Sequence, residues 1–232
     1  MNLHNHDIHI WSFELSINEQ QEAELIQHLD NQECNRVQQL KQRIHQQRFI
    51  AAHSALKFLL SQYLNVSLHE ITFSYNPHKK PFLKYPHSSL QFNMAHSYDL
   101  AVIAFTLDHA IGIDIEKIRA TYNPAIATRY YSPEENIKLN QLTNYERIRF
   151  FYELWASKEA LVKAIGLGLS RSLSQFSAHL AQDGVIKLEN DDWRLYTLSL
   201  HADFATAVAT NQTINTITSR TLFLRNNHWM SE

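Results

Sequence analysis

Glycine is missing from the first 111 residues of this 232-residue chain, and the four present stand at 112, 166, 168 and 184. Glycine is the usual solution where a backbone needs positive φ or a very close neighbour, and three of the four fall within two short segments, 111–116 and 155–168. Cysteine is nearly absent too: Cys34 is the only one, which excludes an intramolecular disulfide and thiolate metal clusters. No apolar run approaches the roughly 20 residues needed to span a bilayer, and the first residues lack the basic, apolar, small-residue order of a secretory signal. The expectation is a soluble cytoplasmic monomer with no membrane partner. Charge of one sign is lacking as well. The formal net charge of -2 argues against a nucleic-acid binder. What the chain has is hydrophobic content, 44%, enough for a sizeable core in one large domain or two small lobes.

His9 to Leu15 alternates like an opening strand. Asn18–Gln47 is polar and glutamine-rich, with apolar residues at spacing that suits one or two amphipathic helices, and Arg48–Leu64 reads as a more apolar helix. Ile71–Tyr75 is a short strand followed by a turn at Asn76-Pro77-His78. From Leu90 to Ile115 the pattern is β, with a turn at Tyr98-Asp99, a continuous apolar strand over Leu100–Thr106 and another strand over Ala110–Glu116. Helices follow at Ala125–Arg129 and Pro133–Leu142, then a long one through Trp155. A last β section covers Gly184–Leu188, Trp193–Leu200, Ala205–Thr210 and Ile217–Leu224, with Asp183-Gly184 as a hairpin turn. The order of strand, helices and antiparallel strands thus occurs about twice. It predicts an α+β fold of two similar lobes, 1–110 and 111–232, each a small antiparallel sheet against a long helix, with the active site in the cleft between them.

Two segments carry the chemistry. In Ile111-Gly112-Ile113-Asp114-Ile115-Glu116, Asp114 and Glu116 are two apart on a strand and share a face, with the isoleucines opposite. The alternative is an edge strand with a solvated face. In the helix through Trp155, residues Phe151, Leu154, Leu161, Val162 and Ile165 form a core-facing arc, while Trp155, Glu159 and Lys163 line a neighbouring stripe. Lys158 falls inside the apolar arc, where a lysine must snorkel or meet an anion. Gly166 and Gly168 end the helix. Three carboxylates and two lysines in apolar sequence need a partner. Mg²⁺, which takes a few carboxylates plus waters and substrate phosphates, suits them better than Ca²⁺ and points to phosphoryl-type transfer.

These segments resemble the 4′-phosphopantetheinyl transferases, in particular the larger, two-lobed type that activates surfactin-synthetase-like carriers. Gly112-Ile113-Asp114-Ile115-Glu116 is similar to the family's first signature. Phe151, Trp155, Lys158-Glu159-Ala160, Lys163 and Gly166 match the second. Lys80-Pro81 followed by Phe92-Asn93-Met94-Ala95-His96-Ser97 matches the third. The resemblance implies transfer of the phosphopantetheine arm of coenzyme A to a serine of an apo acyl or peptidyl carrier protein, releasing adenosine 3′,5′-bisphosphate. It implies that Asp114, Glu116 and Glu159 hold Mg²⁺, or Mn²⁺, against the pyrophosphate. Glu159, directly or through water, is the base, and Lys163 meets the leaving phosphate. Lys158 adds charge at the pyrophosphate, Arg48 and His96 grip the 3′-phosphate, and Lys80 with Pro81 sits at the nucleotide end. Carrier contacts are expected around Tyr130–Leu142 and Leu167–Phe176. Two residues depart from the pattern: Ala95 stands where a serine is usual, and Lys79 where a glycine is. A non-catalytic homologue that only holds coenzyme A or carrier is the main alternative; a metal phosphohydrolase has less support, because no His-rich ligand spacing occurs.

Overall fold

In a computed structural model that describes residues 1–166, 173–178, 185–188 and 191–231, the chain forms four layers in the order helix, sheet, sheet, helix. The first sheet contains β1 (Asp7–Glu14), β4 (Leu90–Ser97), β5 (Leu100–Leu107), β10 (Thr216–Arg225) and β11 (His228–Ser231), in the order β11-β10-β1-β5-β4. The second contains β6 (Ile111–Lys117), β7 (Val185–Leu188), β8 (Asp191–Leu198) and β9 (Phe204–Thr210), in the order β6-β9-β8-β7. A separate hairpin pairs β2 (Thr72–Tyr75) with β3 (Pro81–Tyr85).

Alternation sorts each strand's side chains between layers. Trp11 and Phe13 of β1, with Ile103 and Phe105 of β5, pack beneath the 22-residue helix α3 (Arg43–Leu64), against Leu56, Leu59 and Leu60. The opposite faces supply Ile8, Ile10, Val102 and Ala104, which meet Ile111, Ile113 and Ile115 of β6 and Val208 of β9. β5 is apolar at every position except Thr106 because both of its faces are covered. The outer face of the second sheet, with Ala205, Ala207 and Ala209, packs on the other 22-residue helix, α6 (Asn144–Ile165).

The polar stretch before α3 becomes two short helices, α1 (Glu19–Leu25) and α2 (Asn31–Gln39), each opened by a capping box. In the second lobe α4 (Pro124–Tyr130) and α5 (Pro133–Gln141) precede α6, and α5 also begins with a capping box, Ser132 with Glu135. The expected α+β, two-lobed class is what the structure presents. It differs from expectation in two respects. The first sheet is not purely antiparallel, since β1 and β10 pair in parallel. The expected lobe 111–232 also does not hold together to its end, because β10 and β11 return to the first sheet. Trp229 explains the return: it is buried in the first core, edge-on to Phe13 at 5.5 Å, and donates to Ser54 Oγ at 3.0 Å. The expected turn at Asp183-Gly184, Gly168 and most of the expected carrier segment 167–176 lie outside the described residues.

Candidate active site

Gly112 sets the distance between β6 and α6. A methyl group there would overlap the Ala160 carbonyl oxygen and the backbone of Ala164. Strand and helix therefore meet backbone to backbone along an alanine stripe, Ala156, Ala160 and Ala164, all buried. That approach turns the Asp114 face of β6 toward α6 rather than solvent, so the solvated-edge alternative fails: Asp114 is 5% exposed. Lys163 Nζ donates to Asp114 Oδ1 at 2.6 Å, while Asp114 Oδ2 is buried without a hydrogen-bond partner.

Glu116 and Glu159 complete the group. Burial pushes the Asp114 carboxyl above its ordinary value despite the Lys163 ammonium, because desolvation outweighs one ion pair. Burial and the neighbouring Asp114 push Glu116 up, with hydrogen bonds from Ser97 and Trp155 pulling the other way. Glu159 is raised to about 7, by burial first and then by the charge of Asp114, with Lys163 opposing and Glu116 adding to the rise. Three carboxylates resisting ionisation together are a site with excess negative charge. Among the described residues they do not form a ready-made three-ligand cage. The orphaned Asp114 oxygen and the hard-oxygen donor set nevertheless fit a divalent cation of the Mg²⁺ or Mn²⁺ kind, bound with water or ligand oxygens.

On the other side of Lys163 the charge changes sign. His96 is an exposed residue of β4; desolvation, then the charges of Lys163 and Arg48, hold its pKa below the usual value. Arg48 reaches there from α3 and donates through Nε and Nη2 to Asp99 Oδ1 at 3.1 and 2.7 Å. A cavity of 210 Å³ adjoins this group, lined by Lys79, Lys80, Pro81, Met94, Lys163 and Gly166. Asp114, Glu116, Glu159 and Lys163 thus form one interacting group, with His96 under the charges of Lys163 and Arg48 and Pro81 at the cavity wall.

Two residues take other roles. Lys158 does not reach the site. It is fully buried, with Nζ 2.8 Å from Glu135 Oε2 and donating to the Leu173 and Phe176 carbonyls. The anion its position demanded is a helix-capping glutamate. The Ser132-x-x-Glu135 pattern was the available signal. Lys80 turns inward as well: Nζ donates to the carbonyls of Ile111 at 3.0 Å and Lys163 at 2.6 Å. Burial and the Lys163 charge lower its pKa to about 8. With Asn76 donating to the Gly166 carbonyl at 3.0 Å, it caps the C-terminal end of α6 from the β2–β3 hairpin, where cations are favoured. Its ammonium therefore serves the seam between the lobes rather than an open nucleotide subsite.

The two departures have structural readings. Lys79 adopts φ +65°, the left-handed backbone for which glycine is the ordinary choice. Ala95 is 5% exposed within the core between the sheets, so its missing hydroxyl bears on packing, not on an open ligand site. Asn93 Oδ1 accepts from Ile113 N at 2.9 Å and Ser97 Oγ from Lys117 N at 3.1 Å. Side chains of β4 thereby fix the register of β6 although the two strands belong to different sheets.

Known proteins resemble the chain along nearly all of this framework. The 4′-phosphopantetheinyl transferase superfamily matches residues 110–209, and the N-terminal family of 4′-phosphopantetheinyl transferases matches residues 16–107. The 4′-phosphopantetheinyl transferase HetI of Nostoc sp. is 31% identical over 207 residues, 88% of this chain and 87% of that one. The 4′-phosphopantetheinyl transferase psf-1 of Bacillus pumilus is 31% identical over 169 residues, 71% of each chain. Sfp of Bacillus subtilis is 34% identical over 137 residues, 59% of this chain and 60% of its own length. The chain belongs to the 4′-phosphopantetheinyl transferase family. No described helix is long and apolar enough to cross a membrane.

Proposed function

We propose that the chain transfers the 4′-phosphopantetheine moiety of coenzyme A to a serine hydroxyl of an apo acyl or peptidyl carrier protein, releasing adenosine 3′,5′-bisphosphate. The observation that carries this reading is the Asp114 carboxylate, with one oxygen on Lys163 and the other buried and unpartnered, at the boundary between an acidic and a basic group of side chains. A ligand with two charged parts fits that boundary: a pyrophosphate that shares a divalent cation with Asp114, Glu116 and Glu159, and a second phosphate near His96 and Arg48. The cation supplies neutralisation of charge on the pyrophosphate oxygens when bound.

The chain's own residues would do the rest. Glu159, whose ionised form a bound cation would favour, would take the serine proton, directly or through a water. As the serine oxygen bonds to the phosphorus that bears the pantetheine arm, the bond to the adenosine 3′,5′-bisphosphate oxygen breaks. Lys163 Nζ, already beside Asp114, stabilises charge on that leaving group. Pro81 and the adjoining cavity lie toward the nucleotide end. In this reading residues 1–110 supply the nucleotide side and β6 with α6 the metal side, with the site on their seam.

The test is incubation of the pure chain with coenzyme A, Mg²⁺ and a panel of apo carriers, read by carrier mass. A gain equal to one phosphopantetheine group is expected, and it should disappear with EDTA. No such gain on any carrier, with coenzyme A still bound, would replace the reading by a non-catalytic binder. Phosphate release from coenzyme A without carrier would replace it by a hydrolase.

A further inference from the structure

We propose that Ser97 is a positioning residue, holding Glu116 ready for the divalent cation. The inference rests on the metal reading given above. Ser97 Oγ does two things at once: it accepts from Lys117 N at 3.1 Å and donates to Glu116 Oε2 at 3.2 Å. The first bond comes from the backbone next to Glu116, so the hydroxyl is fixed relative to the strand whose side chain it grips. Its proton is directed by that arrangement, since the lone pair facing Lys117 is already used.

Glu116 is the metal carboxylate that most needs such help. Asp114 has a short side chain, is almost wholly buried and is held by Lys163. Glu116 is longer, half-buried and near the end of β6, and a free glutamate loses substantial rotamer entropy when it is fixed. Ser97 reaches it from the first lobe, and Trp155 of α6 bonds to it from the second. Carboxylates that bind metal are commonly oriented by such partners, and losing one typically weakens metal binding. Asn93 is the built-in comparison. Four residues earlier on β4 it makes the same strand-to-strand bond, to Ile113 N at 2.9 Å, with no hydrogen bond to a carboxylate among the described residues. The seam function alone is therefore present at Asn93, and the seam function plus the carboxylate contact at Ser97.

Mn²⁺ titration of the full chain without coenzyme A, whose proposed cavity Asn93 also lines, followed by electron paramagnetic resonance, separates the two functions, with thermal unfolding recorded in parallel. Ser97→Ala should weaken Mn²⁺ binding by about tenfold or more, and Ser97→Thr, which keeps the hydroxyl, should recover most of it. Asn93→Ala should lower the melting temperature by as much as Ser97→Ala while leaving the Mn²⁺ constant near its original value. Unchanged Mn²⁺ binding in Ser97→Ala, or equal weakening in Asn93→Ala, would overturn the positioning role and leave the metal reading standing. A native chain that transfers phosphopantetheine without taking up Mn²⁺ would overturn both.

Discussion

The two long helices are built on one plan and used differently. α3 and α6 are both 22 residues long and both end on a left-handed residue, Asn65 at φ 54° and Gly166 at φ 78°. Each buries one lysine at the same position counted from its own first residue, Lys57 in α3 and Lys158 in α6. Each lysine meets the N3 glutamate of a capping box on a preceding helix: Lys57 meets Glu33 at 2.8 Å, and Lys158 meets Glu135 at 2.8 Å. The next position and the one four later then diverge. α3 has Phe58 and Gln62 where α6 has Glu159 and Lys163. The helices also sit at different heights. α3 rests on Trp11, Phe13 and Phe105, with Tyr63 against Phe105 at 4.7 Å. α6 rests on glycine and alanine. The shared plan is scaffold, and what only α6 has is the pair of charged residues of the candidate site.

Glu159→Gln should therefore produce the largest effect. If Glu159 is base and ligand together, carrier modification should fall by about a hundredfold to ten-thousandfold with melting temperature unchanged or raised. Phe58→Leu, at the matching place in α3, should leave the rate within about threefold while lowering stability by about 1 kcal/mol. Near-native turnover in Glu159→Gln would show that the divergence between the helices is not catalytic.

The shared lysines sharpen the comparison next. Lys158→Met leaves Glu135 buried without a cation, held only by the backbone N–H groups of Ser132 and Ala178, whereas Glu33 keeps His53 at 2.7 Å after Lys57→Met. Lys158→Met should cost about 3–5 kcal/mol and Lys57→Met less, both measured by denaturant unfolding. Changing both members of a pair to apolar residues of similar size should restore most of the loss. A Lys158→Met chain that kept its stability but bound coenzyme A weakly would return Lys158 to the phosphate-binding role suggested by its motif.

Height is the third difference. Gly112→Ala should destabilise by about 1–3 kcal/mol through overpacking, and should also slow transfer because Asp114 moves with the strand. Enlarging a residue under α3 has no comparable consequence for any carboxylate. If Gly112→Ala lowers stability without touching the rate, the close approach of β6 and α6 matters only for folding.

Much of this plan was legible in the sequence. The alternation at 111–116 and the 3.6-residue stripes of α6 specify which side chains face which layer, because burial acts on periodicity. Lys158 was legible only as an anomaly. Its partner lies in another helix, and ion pairs across elements leave no spacing signal. The capping box around Glu135 marked a helix start, but nothing local says that an N3 glutamate will also serve a lysine on α6. The parallel return of β10 beside β1 was hidden for the same reason: strand pairing across two hundred residues is decided by Trp229 and Leu222 finding the first core, not by their neighbours. Lys80 was misplaced because its motif fixes the residue and not the direction in which its ammonium turns.

The smallest expected effect concerns pH, and it separates the lobes without touching the reaction. In the metal-free chain the Glu159 carboxyl is raised from 4.5 to about 7, and Glu116 and Asp114 are raised as well. Between those values the folded chain binds more protons than the unfolded chain, so stability must fall as pH rises from about 4.5 through 7. In the first lobe Glu33 shifts the opposite way: burial alone would raise it, but bonds from His53 and Lys57 bring it below its ordinary value. Its contribution is present above about 4.5 and lost as pH falls below that. Melting curves in EDTA should thus show a decline across pH 5–7 that comes from the second lobe, and Glu159→Gln should flatten it. Added Mg²⁺ should flatten it too, because a bound cation inverts the charge balance that raises the three carboxyls. A decline that survives both changes would have another origin, and the electrostatic contrast between the two helices would then be removed from the account.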